Sequence, residues 1–510
     1  MIEIDGNHLT LSDLSSIARD KAEVCLSPQA VEQINESHQR LVKIVESDLP
    51  VYGINTGFGI FADRRIAAKD SAQLSRNLIL SHSVGTGDPL AEEIVRASML
   101  VRANTLAKGF SGVRLEVVQT LLDMLNRGVT PVVPEQGSLG SSGDLLPLSH
   151  MALVFTTDEK NREKESGWAI YDGQRMSGKA AMMLAGIPCI ILQAKEGLAV
   201  NNGATFSAAI AALAVLDAEY LLEVSEYALA LSLEALVGCS AAFDERLHLA
   251  RGQNGQVEVA RNIRHLIQGS TLINSTNHVQ DAYSLRCAPQ VQGSARDAAE
   301  HVHQIIEREI NAATDNPLLF DKGEALSGGN FHGEPIGLVM DYLSIAIAEI
   351  GAISERRTFR LTDGKLNNGL PPMLVDSMEA AGLNSGLMMP QYTAASLVLE
   401  NQTLATPDSV HSLPTSGEQE DHNANAMTAA RHTRRIIQNV RHVLAIELYT
   451  AARALDLRLR ISPQGILGDG TRQIFDIIRD QVPYKAGDAW WEPEIDAVRS
   501  MIEEHLLTLS

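Results

Sequence analysis

Residues 205–237, TFSAAIAALAVLDAEYLLEVSEYALALSLEALV, form the most apolar run of the chain. Asp217, Glu219, Glu223, Glu226 and Glu234 interrupt it, so it predicts a buried core helix rather than a membrane span. A length of roughly thirty residues far exceeds the usual globular helix of about 11–12. Similar helical patterns run over roughly 290–313, 334–360, 386–404 and 424–456. Helices this long predict an all-α bundle in which neighbours, from the same or other subunits, cover each apolar stripe. Composition agrees: 45% hydrophobic with only 4% aromatic favours close-packed helices over sheets.

A chain of 510 residues is too long for one simple core. The long-helix character begins near 196, which divides the chain into an N-terminal domain, 1–195, and a helical bundle, 196–510. The N-terminal part is mixed but mainly helical, with patterns at 11–47, 70–82, 91–107 and 112–127. A turn cluster follows Tyr52, and a Pro/Gly-rich stretch spans 131–143. Residues 157–176 are polar and predict a surface hairpin or loop excursion. No internal repeat is evident.

The formal charge of −21, from 42 Lys+Arg against 63 Asp+Glu, disfavours nucleic acid and anionic membranes as partners. Met1-Ile2-Glu3-Ile4-Asp5-Gly6 does not resemble a signal peptide. Cys25, Cys189, Cys239 and Cys287 lie far apart, which suits reduced thiols in a cytoplasmic protein. No His-Glu-x-x-His or Cys-x-x-Cys occurs, and no metal is expected.

Chemistry concentrates in Gly137-Ser138-Leu139-Gly140-Ser141-Ser142-Gly143-Asp144-Leu145-Leu146-Pro147-Leu148-Ser149-His150. Gly143 has no Cβ, so its amide nitrogen can approach the Ser141 carbonyl carbon at unusual dihedrals. Ring closure there, with loss of two waters, would leave an exocyclic alkene, an electrophile built from protein alone. The same letters also read as an ordinary turn followed by Asp144 as a helix N-cap. A nucleophile elbow is excluded because Ser142 abuts Gly143 directly. A phosphate-binding loop is excluded because Asp144 stands where Lys would be needed.

An electrophile needs a base and an anchor. Tyr52 borders the turn Tyr52-Gly53-Ile54-Asn55-Thr56-Gly57-Phe58-Gly59, as a candidate base or a half-buried structural phenol. Gln280, Tyr283 and Arg286 stand three residues apart, which on a helix would place them along one face. Arg286 suits bidentate capture of a carboxylate, although an exposed polar face reads equally well. Ser416-Gly417-Glu418-Gln419-Glu420-Asp421-His422 crowds acids beside an imidazole, but Glu420 and His422 would diverge on a helix, against a metal site.

These pieces, with Leu80-Ser81-His82, Lys195-Glu196-Gly197-Leu198-Ala199 and Ser327-Gly328-Gly329-Asn330-Phe331-His332, stand in one order. Over essentially its full length the chain resembles the aromatic amino acid lyase family, within it the histidine ammonia-lyases. The resemblance implies an all-α homotetramer with active sites shared between subunits. It implies a 4-methylideneimidazole-5-one formed from Ser141, Ser142 and Gly143, with no external cofactor, and a small amino acid substrate. It implies elimination of ammonia from L-histidine to trans-urocanate, hence histidine catabolism. Carried onto this chain, Tyr52 is the base and Arg286 the carboxylate anchor. Asn202 contacts the amino group or the ring, while Gln280 and Tyr283 support the ring or the carboxylate. Phe331 packs near the electrophile, and His82 and Glu420 read the substrate imidazole.

The chain departs from the family pattern at several places. Ser141 stands for alanine, leaving a hydroxymethyl group beside the ring, and Leu146 stands for a common alanine. Asn201-Asn202-Gly203-Ala204-Thr205 replaces Leu-Asn-Gly-Thr-Gln, and Asn423-Ala424-Asn425 replaces Val-Ser-Met. Extra amides near the substrate would alter substrate choice, or retain ammonia for re-addition at the β-carbon. The alternatives are therefore a 2,3-aminomutase, or a lyase acting on tyrosine, phenylalanine or another aromatic amino acid.

Overall fold

The computed structural model describes residues 1–46, 51–57, 64–277 and 279–509. Helices dominate it, and the strands among the described residues are no longer than four residues, paired in sets of two or three. The long helices are Thr205–Ala235, Ala288–Glu309, Glu334–Thr362, Met388–Leu404 and Ala426–Ile461. The all-α reading therefore holds. Their cores lie where the apolar periodicity puts them, while the ends differ by a few residues. The helix expected to reach 313 stops at Glu309 because Asn311 Nδ2 donates to the Glu307 carbonyl at 2.8 Å. That side chain supplies a donor that a further helical turn would otherwise provide. The polar excursion is a hairpin, Trp168–Tyr171 against Gln174–Ser177, turned by Asp172-Gly173 with both residues at positive φ.

Chain contacts define two compact units. One comprises Met1–Ala214, His303–Asp341 and Pro407–Arg431; the other comprises Val215–Val302, Tyr342–Thr406 and His432–Ser510. In the first unit the Glu92–Ala107 helix is buried on nearly all sides, including its arginines. Arg96 tolerates this because it donates to the carbonyls of Ile17, Ala18 and Leu125 at 2.7–3.2 Å.

The second unit centres on Glu447. Its carboxylate, fully buried, receives Arg357 Nε and Nη2 at 2.5 and 2.8 Å, Ser232 Oγ at 2.7 Å and Ser354 Oγ at 2.6 Å. A buried ion pair of this kind is tolerable only when the remaining oxygen lone pairs are met, as here. Thr205–Ala235 and Glu334–Thr362 are long and apolar enough to cross a membrane, yet 83% and 67% of their most apolar windows lie buried within the protein. The acids that interrupt the first are used internally: Glu226 receives Arg296 Nε at 2.7 Å, and Glu234 receives the Gly468 amide at 3.0 Å.

Candidate active site

The loop before the Leu145–Phe155 helix is held at every residue from Ser138 to Asp144. Leu139 and Gly140 accept, through their carbonyls, the amides of Asn425 at 2.7 Å and Gly333 at 2.9 Å. Ser141 Oγ accepts from Asn423 Nδ2 at 2.7 Å. The Ser142 carbonyl accepts from Asn202 Nδ2 at 2.9 Å and the Gly203 amide at 3.3 Å, while Ser142 Oγ donates to Glu420 Oε1 at 2.7 Å. Ser138 Oγ reaches Asp144 Oδ1 at 2.7 Å and so closes the loop on itself.

Two glycines make this packing possible. Gly143, at φ +73°, lies alongside Gly203, at φ +115°, as an isolated parallel bridge. A Cβ on Gly143 would stand 2.0 Å from the Gly203 carbonyl carbon. Position 143 thus excludes any side chain both by dihedral and by space.

Asp144 stands just before the Leu145–Phe155 helix, but its side chain makes no hydrogen bond to that helix's first turn. It binds the start of a different helix, accepting from the Ser207 amide at 2.7 Å and Ser207 Oγ at 2.9 Å. The first turn of Thr205–Ala235 offers unsatisfied amides and the positive end of a helix dipole, which favour a carboxylate there. Burial pushes the Asp144 carboxyl up, and its bonds to Ser207 and Ser138 pull it back. The expected local cap is therefore replaced by a tie across 63 residues of sequence.

Under the loop, the fully buried Arg102 donates to the Ala199 carbonyl at 3.2 Å and to Thr205 Oγ1. Burial lowers its guanidinium to about 10, against the opposing pull of Asp315 and Asp144. Lys195 pairs with Asp315 at 2.5 Å with both side chains buried, and Glu196 receives Arg114 Nε at 2.9 Å and Nη2 at 2.8 Å. The Lys195–Ala199 motif is thus fixed by buried ion pairs on the stretch that leads to Asn202.

His82 ends the Ser71–His82 helix half-buried, with Nδ1 on the Leu78 carbonyl at 2.9 Å. A carbonyl can only accept, so Nδ1 carries the proton and Nε2 is left as an acceptor. Burial lowers the His82 pKa, while the Leu78 carbonyl and the Glu420 carboxylate oppose that shift. Glu420 is fixed by an antiparallel bridge to Thr415, and Phe331 sits half-buried two residues before Gly333. Tyr52 is half-buried at the start of a turn in which Asn55 Oδ1 accepts the Val51 amide at 2.7 Å. Phe58 and Gly59 of that motif lie outside the described residues.

The first unit thus holds Tyr52, His82, Ser141, Ser142, Gly143, Asn202, Phe331 and Glu420; hydrogen bonds join Ser142 to both Asn202 and Glu420. Gln280, Tyr283 and Arg286 belong to the second. There the helix spans only Tyr283–Arg286, so the one-face reading fails for Gln280, which precedes the extended Ala282 cap. Arg286 stacks over the Tyr283 ring at 4.5 Å, and its buried Nε has no hydrogen-bond partner. All three line a cavity of about 540 Å³ with Leu236, Arg360 and Asn368. Among the described residues no group of three or more His, Cys, Asp or Glu is placed to hold a metal.

Sequence reasoning missed the roles of Ser138, Gly203 and Asn423, and the long-range role of Asp144. The partners of Gly203, Asn423 and Asp144 are distant in sequence, and Ser138 closes a short loop that its letters alone do not announce.

The family model for aromatic amino acid lyases matches residues 9–480. A histidine ammonia-lyase of Caldanaerobacter subterraneus subsp. tengcongensis is 51% identical over 94% of this chain and 92% of its own length. The crystal structure of histidine ammonia-lyase from Trypanosoma cruzi superposes with a TM-score of 0.90 at 37% identity, covering 99% of this chain and 94% of that one. Tyrosine aminomutase from Streptomyces globisporus superposes with a TM-score of 0.92 at 33% identity, covering 99% and 97%.

Proposed function

The chain belongs to the aromatic amino acid lyase family, and we propose that it eliminates ammonia from L-histidine to give trans-urocanate. It is a carbon–nitrogen lyase. The observation that carries the reading is Ser142 itself, with its hydroxyl on Glu420 and its carbonyl held by Asn202 and Gly203, beside a glycine that tolerates no side chain.

These residues fit a 4-methylideneimidazole-5-one formed from Ser141, Ser142 and Gly143. Asn202 and Gly203 would hold it through the Ser142 carbonyl, and Asp144, the next residue, would anchor its Gly143 end through Ser207. Once formed, the group supplies the electrophile that turns the substrate's α-amino group into a leaving group. Asn202 Oδ1, buried without a partner, is the acceptor for an amino N–H of the substrate. Tyr52, acting as the phenolate, would take the β-proton. Arg286 binds the carboxylate through its planar fork, with Tyr283 under the guanidinium and Gln280 beside it.

Histidine is favoured because His82 Nε2 and the Glu420 carboxylate are both acceptors. An imidazole N–H would pair with His82 Nε2, an acceptor that a phenyl ring would leave unmatched, which is the basis for rejection. Phenylalanine and tyrosine therefore rank below histidine.

Most of the extra amide groups are engaged by protein, Asn423 at both ends, which weighs against an aminomutase outcome. Asn201 Nδ2 donates to Ser149 Oγ at 3.2 Å, Asn423 to Ser141, and Asn425 Nδ2 to the carbonyls of Asp408 and His411. Asn201 Oδ1 stays buried without a partner among the described residues, so β-histidine detection decides between the two outcomes.

The reading carries with it a homotetramer with shared active sites. Tyr283 is 70% exposed and Val279 98% exposed on the single chain, as expected of a segment that a second copy covers. Incubation with L-histidine, following urocanate by ultraviolet absorbance and β-histidine by chromatography, tests the assignment. Turnover of tyrosine or phenylalanine with neither product from histidine would refute it.

A further inference from the structure

Two departures from the family pattern, Ser141 and Asn423, meet each other in the fold. Asn423 Nδ2 donates to Ser141 Oγ at 2.7 Å, with the two residues 1% and 5% exposed. The orientation of the Asn423 amide is fixed, because its Oδ1 accepts the Leu413 amide at 3.0 Å. An N–H can be met only by the oxygen end, so the nitrogen end faces Ser141. The Asn423 backbone is held in turn by donation to Ser412 Oγ at 2.9 Å. Three residues earlier, Glu420 accepts from the adjacent hydroxyl of Ser142. One segment therefore holds two consecutive serines in opposite senses: Ser142 gives its proton to a carboxylate, and Ser141 receives one from an amide.

We propose that Asn423 is a positioning residue for ring closure, marking Ser141 as the hydroxyl that is retained and setting its carbonyl carbon against the Gly143 nitrogen. This rests on the ring described under Proposed function. In closure, the Gly143 nitrogen bonds to the Ser141 carbonyl carbon and passes its proton to that oxygen. The oxygen leaves as water with the Ser142 amide proton, creating a carbon–nitrogen double bond. The second water takes the Ser142 Oγ with its proton and the Ser142 Cα proton, leaving the alkene. Ser141 Oγ takes no part, and the bond from Asn423 holds this second hydroxyl away from the reacting atoms.

The pair also explains why both positions differ together. A buried hydrogen-bonding group stripped of its partner is penalised, whereas an apolar pair in the same place is nearly neutral. Ser141→Ala leaves the Asn423 amide unpaired, and Asn423→Val leaves the Ser141 hydroxyl unpaired. The double variant leaves neither.

The test is cell-free synthesis of the full chain and its variants, with intact-mass spectrometry over time and thermal melting in parallel. The parent loses two waters relative to its encoded mass. Each single variant closes about tenfold more slowly, and the double variant returns to within about threefold of the parent. If either single variant does not fold, the other single and the double variant still decide. Closure at the parental rate in the folded single variants, with or without a lower melting temperature, would overturn the positioning role alone. A parent that keeps both waters would remove the ring and this role together.

Discussion

Gly203→Ala isolates the close packing against the Ser138–Asp144 loop. The residue sits at φ +115°, and an added Cβ would stand 2.5 Å from Thr314 Oγ1, 2.8 Å from Arg102 Nη2 and 2.8 Å from the Thr314 carbonyl oxygen. Thr314 Oγ1 can rotate away, but the carbonyl is backbone and must shift. The left-handed dihedral alone costs about 1–3 kcal/mol for a residue with a side chain. Forcing an extra methyl into a packed interior adds about 1–3 kcal/mol. The expected loss is thus roughly 2–6 kcal/mol. Gly128→Ala is the control: φ is +73° at the end of the Leu115–Arg127 helix, and no atom lies within 4 Å of the added carbon. It should lose only about 1 kcal/mol. Differential scanning calorimetry and guanidinium unfolding of both variants against the parent give the comparison. Equal destabilisation by the two substitutions would refute the packing argument, as would full histidine turnover in folded Gly203→Ala.

Ser142→Ala should keep the folded assembly but abolish most turnover; undiminished urocanate formation would dismiss the electrophile. Tyr52→Phe should chiefly lower kcat, and Arg286→Lys should chiefly raise KM because a bidentate fork becomes a point charge, both read from steady-state kinetics. Burial pushes Glu234 up to about 7, so the folded state binds a proton there that the unfolded chain has released. With folded pKa above unfolded, stability at this site is fully present below about pH 4.5 and lost as pH rises through about 7. Glu234→Gln should flatten that decline, worth on the order of 3 kcal/mol at most, in denaturant titrations between pH 5 and 8. An unchanged slope would show that Glu234 is ionised in the folded protein.

The bundle was legible because burial writes itself into local periodicity. In Thr205–Ala235 the apolar run and the helix nearly coincide. Helix ends were harder to place, since Asn311 ends one helix by a side-chain bond that no periodicity records. The segment proposed as the reacting centre stood out at Ser142-Gly143, because glycine's freedom there has chemical meaning. Its supports were not. Asp144 carries every local mark of an N-cap for the helix it precedes, yet caps another, and Ser141 and Asn423 find each other across 282 residues. Side-chain identity announces what a group can do, and only the fold decides to whom it does it. Gln280 shows the converse: a three-residue spacing implies a shared face only where a helix exists to express it, and here the helix begins at Tyr283.

The clamp on Ser138–Asp144 also sets a schedule. Glu420, which holds the Ser142 hydroxyl, lies 278 residues further along the chain, and Asn423 and Asn425 follow it. During synthesis the serine-serine-glycine segment leaves the ribosome long before its holders exist. On the proposed function, a nascent chain therefore carries an inert peptide where the finished enzyme would carry an electrophile. Reactivity toward cellular thiols and amines would then arise only after the segment holding Glu420 and Asn423 has folded onto the loop.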